Sequence, residues 1–264
     1  MYDFTYQKPG NLADAVKVLS EDMEAKALAG GQTFIPVLKQ RLNKPSTVID
    51  LAKLGLSGIT VAGDKVTIGA MTTHAAIASS PDIKAKIPGL QHQASLIGDE
   101  AVRHRGTMGG SLANNDPAAC YPSALLALGG TVKTDRRSIP ADDFFQGMFT
   151  TALEQGEIIT AVELPIPEKS GYEKFRNPAS RYAIVGVFVA KFPTGVRLAI
   201  TGASQGGVFR HTEMEKALSA NFSPDAISGI VTPADGLNGD IHASAEYRAH
   251  LIGVVAKRAV AKAA

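Results

Sequence analysis

Leu12, Ala15, Val16 and Leu19 recur at the spacing of a single helix face, and Asn11 stands where it can cap the first turn. Around that helix, residues 1 to about 55 read as strand, helix, strand, glycine loop, helix, strand, with Thr47–Leu51 as the closing strand. Alternation begins at Ile59-Thr60-Val61, crosses Gly63-Asp64 and returns as Val66-Thr67-Ile68-Gly69, a hairpin signal. Thr72 or Thr73 then caps a short helix, Leu90–Ile97 forms another and Ser123–Leu128 a third, before Ile158–Leu164 closes the segment as a strand. Gly98 to Asp116 has little apolar periodicity and is expected to be a functional loop rather than core. Pro165, Pro167, Ser170 and Gly171 mark a linker. Beyond it, strands at 183–190, 196–201 and 207–209 precede helices at about 212–219, 224–231 and 242–260, the last with Leu251, Val254, Val255 and Ala259 on one face. A sheet followed by helices is an α+β pattern.

A chain of 264 residues fits two or three small domains, and its formal charge of +2 points to neither nucleic acid nor an acidic membrane surface. No apolar run reaches the length of a membrane-spanning helix, and Met1-Tyr2-Asp3-Phe4 lacks the features of a secretion signal, so a cytoplasmic protein is expected. One cysteine excludes an internal disulfide and an iron–sulfur cluster held by this chain's own cysteines. The six histidines show no metal-ligand spacing.

Two glycine-paired loops carry the candidate chemistry: Ala29-Gly30-Gly31-Gln32-Thr33 and Gly106-Thr107-Met108-Gly109-Gly110-Ser111. Each joins small residues to a hydroxyl, which suits close approach of backbone N–H groups to an anion. The first follows an apolar run and precedes Phe34-Ile35-Pro36, so strand, turn and helix start in succession make a phosphate seat. Taken singly, either loop is also a plain tight turn. Two seats in one chain suggest a diphosphate gripped from both sides, with a dinucleotide as the candidate. No two glycines stand two positions apart, which excludes G-x-G-x-x-G, and no Gly-Lys pair exists for a Walker A loop.

The second loop continues as Leu112-Ala113-Asn114-Asn115-Asp116-Pro117-Ala118-Ala119-Cys120-Tyr121-Pro122. With the first loop, the string Tyr172-Glu173-Lys174-Phe175-Arg176-Asn177-Pro178-Ala179-Ser180-Arg181-Tyr182-Ala183 and His242-Ala243-Ser244-Ala245-Glu246-Tyr247-Arg248, it resembles the FAD-binding medium subunit of the molybdenum hydroxylases. That group includes the flavoprotein subunits of xanthine dehydrogenase and aerobic carbon monoxide dehydrogenase. The resemblance covers essentially the whole chain. It implies a two-subdomain PCMH-type FAD-binding fold, residues 1–55 and 56–168, followed by a C-terminal α+β domain of antiparallel sheet plus helices at 172–264.

The resemblance also implies roles. Ala29, Gly30, Gly31, Gln32 and Thr33, with Thr107, Gly109, Gly110 and Ser111, would hold the FAD pyrophosphate. Asn114 and Asp116 would reach ribityl or ribose hydroxyls, although each also reads as an Asx turn before Pro117. Ile159 would pack near the isoalloxazine, or is simply a core strand residue. Lys174 would stabilise charge at the N1/C2=O edge, or is a solvated strand residue, and Tyr182 would cover one ring face. Arg105 would add charge near the phosphates, or is a surface residue. Cys120 departs from the aspartate many relatives carry and reads as a buried, inert thiol. By the same resemblance, a large molybdopterin subunit oxidises the substrate and a small subunit relays electrons through [2Fe–2S] clusters. This chain would pass them from FAD to a terminal acceptor: NAD, a quinone, a cytochrome or oxygen. A stand-alone flavin oxidoreductase, a cell-wall precursor reductase of the wider superfamily and a non-catalytic structural subunit remain the competing readings.

Overall fold

The structure is a computed structural model describing residues 1–264. At the N-terminus β1 (Thr5–Gln7), α1 (Leu12–Glu21), β2 (Lys26–Leu28), α2 (Phe34–Lys39) and β3 (Thr47–Asp50) build a three-stranded parallel sheet with β3 central. Asn11 caps α1 by accepting from the Asp14 N–H at 2.9 Å. Ala15 and Leu19 of α1 close over Ile49 and Leu51, burying the helix stripe that the spacing predicts. Parallel pairing sends all three strands toward one edge, and the Ala29–Thr33 loop leaves β2 there.

The middle of the chain adds β4 (Ile59–Ala62), β5 (Lys65–Gly69), α3 (His74–Ser79), α4 (Pro81–Lys86), α5 (Pro88–Ser95), α6 (Glu100–Arg103), α7 (Met108–Asn114) and α8 (Tyr121–Leu128). After these come β6 (Thr131–Thr134), β7 (Ser138–Pro140), α9 (Ala141–Phe144), the small hairpin β8 (Phe145–Gly147) and β9 (Thr150–Thr151), and β10 (Ile159–Pro165). The strands form a five-stranded antiparallel sheet in the order β4-β5-β10-β6-β7. Thr73, rather than Thr72, caps α3.

The 98–116 stretch is not a loop. It folds into α6, capped by Asp99, and α7, capped by Thr107. The buried face of α7 is Met108, Gly109 and Leu112, and a Cβ at Gly109 would stand 2.6 Å from that of Ala70. Glycine supplies no apolar signal, so a helix packed through one shows weak periodicity.

The C-terminal region holds β11 (Lys169–Arg176), β12 (Ala183–Phe192), β13 (Gly195–Thr201) and β14 (Phe209–Arg210) in one antiparallel sheet, then α10 (Thr212–Ala220) and α11 (Ala245–Ala261). The expected linker shrinks, because Ser170 and Gly171 belong to β11. Their small size serves close packing: a Cβ at Gly171 would lie 2.2 Å from the Ala259 carbonyl oxygen of α11, and Ser170 Oγ accepts from the Gly89 N–H at 3.0 Å. The expected helix at 224–231 is only a 3-10 turn over Pro224–Ile227, and the strand expected at 207–209 starts at Phe209, after Gly207 at φ +93°. Every residue of α8 is buried, because that helix lies between the two larger sheets and touches β10, β12 and β13. Mixed helices and antiparallel sheets make the fold α+β.

Candidate functional site

The five consecutive N–H groups from Ala29 to Thr33 donate to nothing within the chain. Gly31 sits at φ +73°, a left-handed turn that leads into α2, and Thr33 is exposed with its side chain capping nothing. A run of unengaged amides around a left-handed glycine is an anion cradle. Gln32 Nε2 turns back to the Gly30 carbonyl at 3.2 Å, which leaves the amide side of the loop open.

The second loop is placed directly against the first. A Cβ at Gly30 would stand 2.1 Å from the Arg105 carbonyl oxygen and 2.8 Å from Gly106 Cα. One at Gly110 would stand 3.3 Å from Ala29 Cβ and 2.9 Å from Thr107 Oγ1. These glycines let two backbones meet; their missing side chains are filled by protein. Unlike those of the first loop, the second loop's amides are mostly engaged. Gly106 N–H donates to Val102, Met108 to Thr72, Gly109 to Ala70, Gly110 to Thr107 Oγ1 and Ser111 to Thr107, so Thr107 N–H alone is left. The second loop therefore contributes the half-buried Ser111, the exposed Arg105 and a wall, while the first contributes the donors.

His74 braces that wall. Its N–H donates to the Gly106 carbonyl at 3.0 Å, and its ring meets Tyr121 edge-on with centroids 5.2 Å apart. Burial, followed by the Arg103 charge, lowers its pKa to about 4, so the imidazole is neutral at pH 7.

Asn114, Asp116, Lys174 and Tyr182 lie toward the other end of α7. Asn114 is half-buried in the last turn of that helix. Asp116 makes the Asx turn, its Oδ1 accepting from the Ala118 N–H at 2.8 Å. Its carboxylate stands close to Tyr182: burial first, and the Asp116 charge second, raise the phenol pKa. Tyr182 is 47% exposed and shares a surface cavity of about 330 Å³ with Met148, Asn177 and Asp240. Ile159 is buried at the start of β10, where the ladder to β6 slips by one residue. The hydrogen-bonded Arg137–Glu157 pair fixes the chain just before it.

Lys174 is not solvated. It is 7% exposed, and its ammonium reaches the Leu96 and Arg181 carbonyls at 2.8 Å each and Cys120 Sγ at 3.6 Å. Sequence reasoning missed this arrangement, because backbone carbonyls carry no residue signature. It also missed Asn115, whose left-handed backbone (φ +42°) ends α7 and whose amide bonds the Gly147 and Thr150 carbonyls at 2.8 Å. The Asn-Asn-Asp-Pro string was the available signal for such a helix end. Residues 96–120 thus touch the first glycine loop, β5 and the C-terminal sheet. One strap gathers sites that lie far apart in sequence.

No helix is long and apolar enough to cross a membrane. Residues 2–167 match the family described as the FAD binding domain in molybdopterin dehydrogenase. The chain is 38% identical to the nicotine 6-hydroxylase medium subunit of Paenarthrobacter nicotinovorans, over 98% of this chain and 96% of that one. It is 32% identical to the carbon monoxide dehydrogenase medium chain of Afipia carboxidovorans, again over 98% and 96%. The fold superimposes on a chain of reconstituted CO dehydrogenase from Oligotropha carboxidovorans with a TM-score of 0.89, at 32% identity, covering 98% of this chain and 97% of that one. The unengaged amides and the backbone contact at Gly30 lie inside the matched segment and fit a diphosphate-bearing cofactor. The chain belongs to this family as an FAD-binding medium subunit of the molybdenum hydroxylase type, a flavoprotein component of an oxidoreductase.

Proposed function

We propose that this subunit takes electrons from the [2Fe–2S] clusters of a small partner subunit and delivers them to a terminal acceptor. Substrate oxidation would take place at molybdopterin in a large partner subunit. The carrying observation is the run of free amides at Ala29–Thr33 seated against Arg105–Gly106, a cradle for diphosphate. Bound FAD would supply the step between one-electron donors and the acceptor. The protein's part is binding and orientation. Ala29–Thr33 would hold the pyrophosphate, with Thr107, Gly109, Gly110 and Ser111 as the facing wall. Asn114 and Asp116 would serve the hydroxyl-bearing middle of the cofactor, and Asp116 keeps one oxygen beyond its Asx turn for that purpose. Ile159, Lys174 and Tyr182 would flank the ring end.

The division into residues 1–55, 56–168 and 172–264 belongs to this reading, as does a cytoplasmic setting. Each of the three stretches contributes to one site. Relatives named for nicotine and for carbon monoxide resemble this chain along nearly its whole length, and those molecules share no shape. That supports placing substrate choice in another subunit. The acceptor, whether NAD, a quinone, a cytochrome or oxygen, would meet the site beside the exposed Tyr182. The test is affinity isolation from the native host, followed by metal and flavin analysis. Co-purification of iron and molybdenum subunits with one FAD per copy is expected. A homo-oligomer that oxidises an organic substrate alone would favour the stand-alone oxidoreductase.

A further inference from the structure

A buried ammonium is costly unless it is paired, yet Lys174 forms no ion pair with a carboxylate. Its three hydrogens are matched by the Leu96 and Arg181 carbonyls and Cys120 Sγ, which come from three separate segments. Arg181 directly precedes Tyr182 and stands at φ +63°, a left-handed conformation that strains a residue with a Cβ. The turn around it is closed on itself. Asn177 N–H donates to the Tyr182 carbonyl at 2.8 Å, Arg181 N–H to the Asn177 carbonyl at 2.9 Å, and Asn177 Oδ1 accepts from Ala179 and Ser180. Two links fasten this turn to the middle of the chain. One runs through Lys174 from the Arg181 carbonyl to that of Leu96, and the other joins the Arg181 guanidinium to the Gly98 carbonyl at 3.2 Å.

We propose that Lys174 is a positioning residue. Its ammonium clamps the left-handed Arg181 to the end of α5, and through Arg181 it fixes Tyr182 at the mouth of the site. Tyr182 is too exposed for core packing to hold it, so its backbone must be held instead. The anchor at Leu96–Gly98 leads through α6 into the second glycine loop. The clamp therefore ties the turn carrying the proposed ring cover to the wall of the proposed phosphate seat. The inference rests on the FAD reading for its consequence, but its geometry lies wholly within this chain.

Two measurements on the full chain test it. The first is hydrogen–deuterium exchange of the flavin-free protein, comparing the unaltered chain with Lys174→Met and the milder Lys174→Gln. Amides of 177–182 should exchange at least ~10-fold faster in both variants, with smaller gains at 96–105 and none in α11. Unchanged exchange at 177–182 in a folded variant would overturn the clamp. The second is iodide quenching of bound-FAD fluorescence in Lys174→Met, Tyr182→Ala and the double variant. Each single change should raise quenching, and the double should match Tyr182→Ala alone, because one residue acts through the other. Additive effects would show that Lys174 acts independently of Tyr182 and overturn the proposal. Failure of the unaltered chain to bind FAD would instead strike the functional reading, and the exchange result would still decide the clamp.

Discussion

Gly30 lies so close to Arg105 that a Cβ at position 30 would stand 2.1 Å from the Arg105 carbonyl oxygen. The obstacle is backbone on both sides, so nothing flexible can move away. Two loops nearly eighty residues apart in sequence form one structure because position 30 has no side chain.

Gly30→Ala should therefore part the loops and abolish FAD retention, with a stability loss of about 1–3 kcal/mol from overpacking. Gly55→Ala is the control for backbone strain without a clash: unlike Gly30 it has a left-handed φ, +69°, and open space around it. It should cost about 1 kcal/mol and leave flavin content unchanged. The flavin-to-protein absorbance ratio, with thermal unfolding alongside, separates the two effects. Full flavin content in Gly30→Ala would show that loop contact is unnecessary for binding.

His74 gives the fold a sensitivity to mild acid. Burial first and Arg103 second hold its pKa at about 4, against an ordinary value of 6.5. The unfolded chain therefore binds the extra proton more readily. This contribution to stability is fully present above about pH 6.5 and is lost as pH falls toward 4. His74→Phe keeps the edge contact with Tyr121 and removes a ring nitrogen, Nδ1, that has no partner. Urea unfolding should show the variant losing about 2 kcal/mol less than the unaltered chain between pH 7 and pH 5. Parallel losses in the two proteins would mean that His74 does not titrate as described.

Glu157 acts in a lower window. The hydrogen-bonded Arg137 guanidinium, ahead of the Glu154 N–H and the Thr134 hydroxyl, pulls its carboxyl from 4.5 down to about 2. A depressed carboxyl stabilises the fold above about pH 4.5, and the effect fades as pH falls through 2. Glu157→Gln should cost about 2 kcal/mol at pH 7 by weakening the charged hydrogen bonds, and should flatten the stability profile between pH 4.5 and 2. A variant profile as steep as that of the unaltered chain would place the acid sensitivity elsewhere.

Helices with plain apolar stripes, such as α1, and hairpins with a Gly-Asp turn were legible in the sequence, as was the first glycine loop. Two of the errors share one cause. α7 and β11 pack through Gly109 and Gly171, so the residues that make the contact tightest look like loop. The resemblance puts Lys174 at the ring end, but its burial and carbonyl partners depend on segments that only the folded chain brings together. The second loop reads as a donor-rich seat until its amides are followed to Val102, Thr72 and Ala70. A glycine pair in a sequence does not reveal whether its N–H groups are free.

On the proposed reading, the amides of Ala29–Thr33, walled by the second loop, hold a diphosphate. Titrating the flavin-free full chain with FAD, FMN and riboflavin, followed by flavin fluorescence and equilibrium dialysis, tests it directly. FAD should bind one per chain, with FMN and riboflavin at least ~100-fold weaker, because neither carries the diphosphate the cradle would grip. Riboflavin binding as tightly as FAD, or no uptake of FAD at all, would contradict the account.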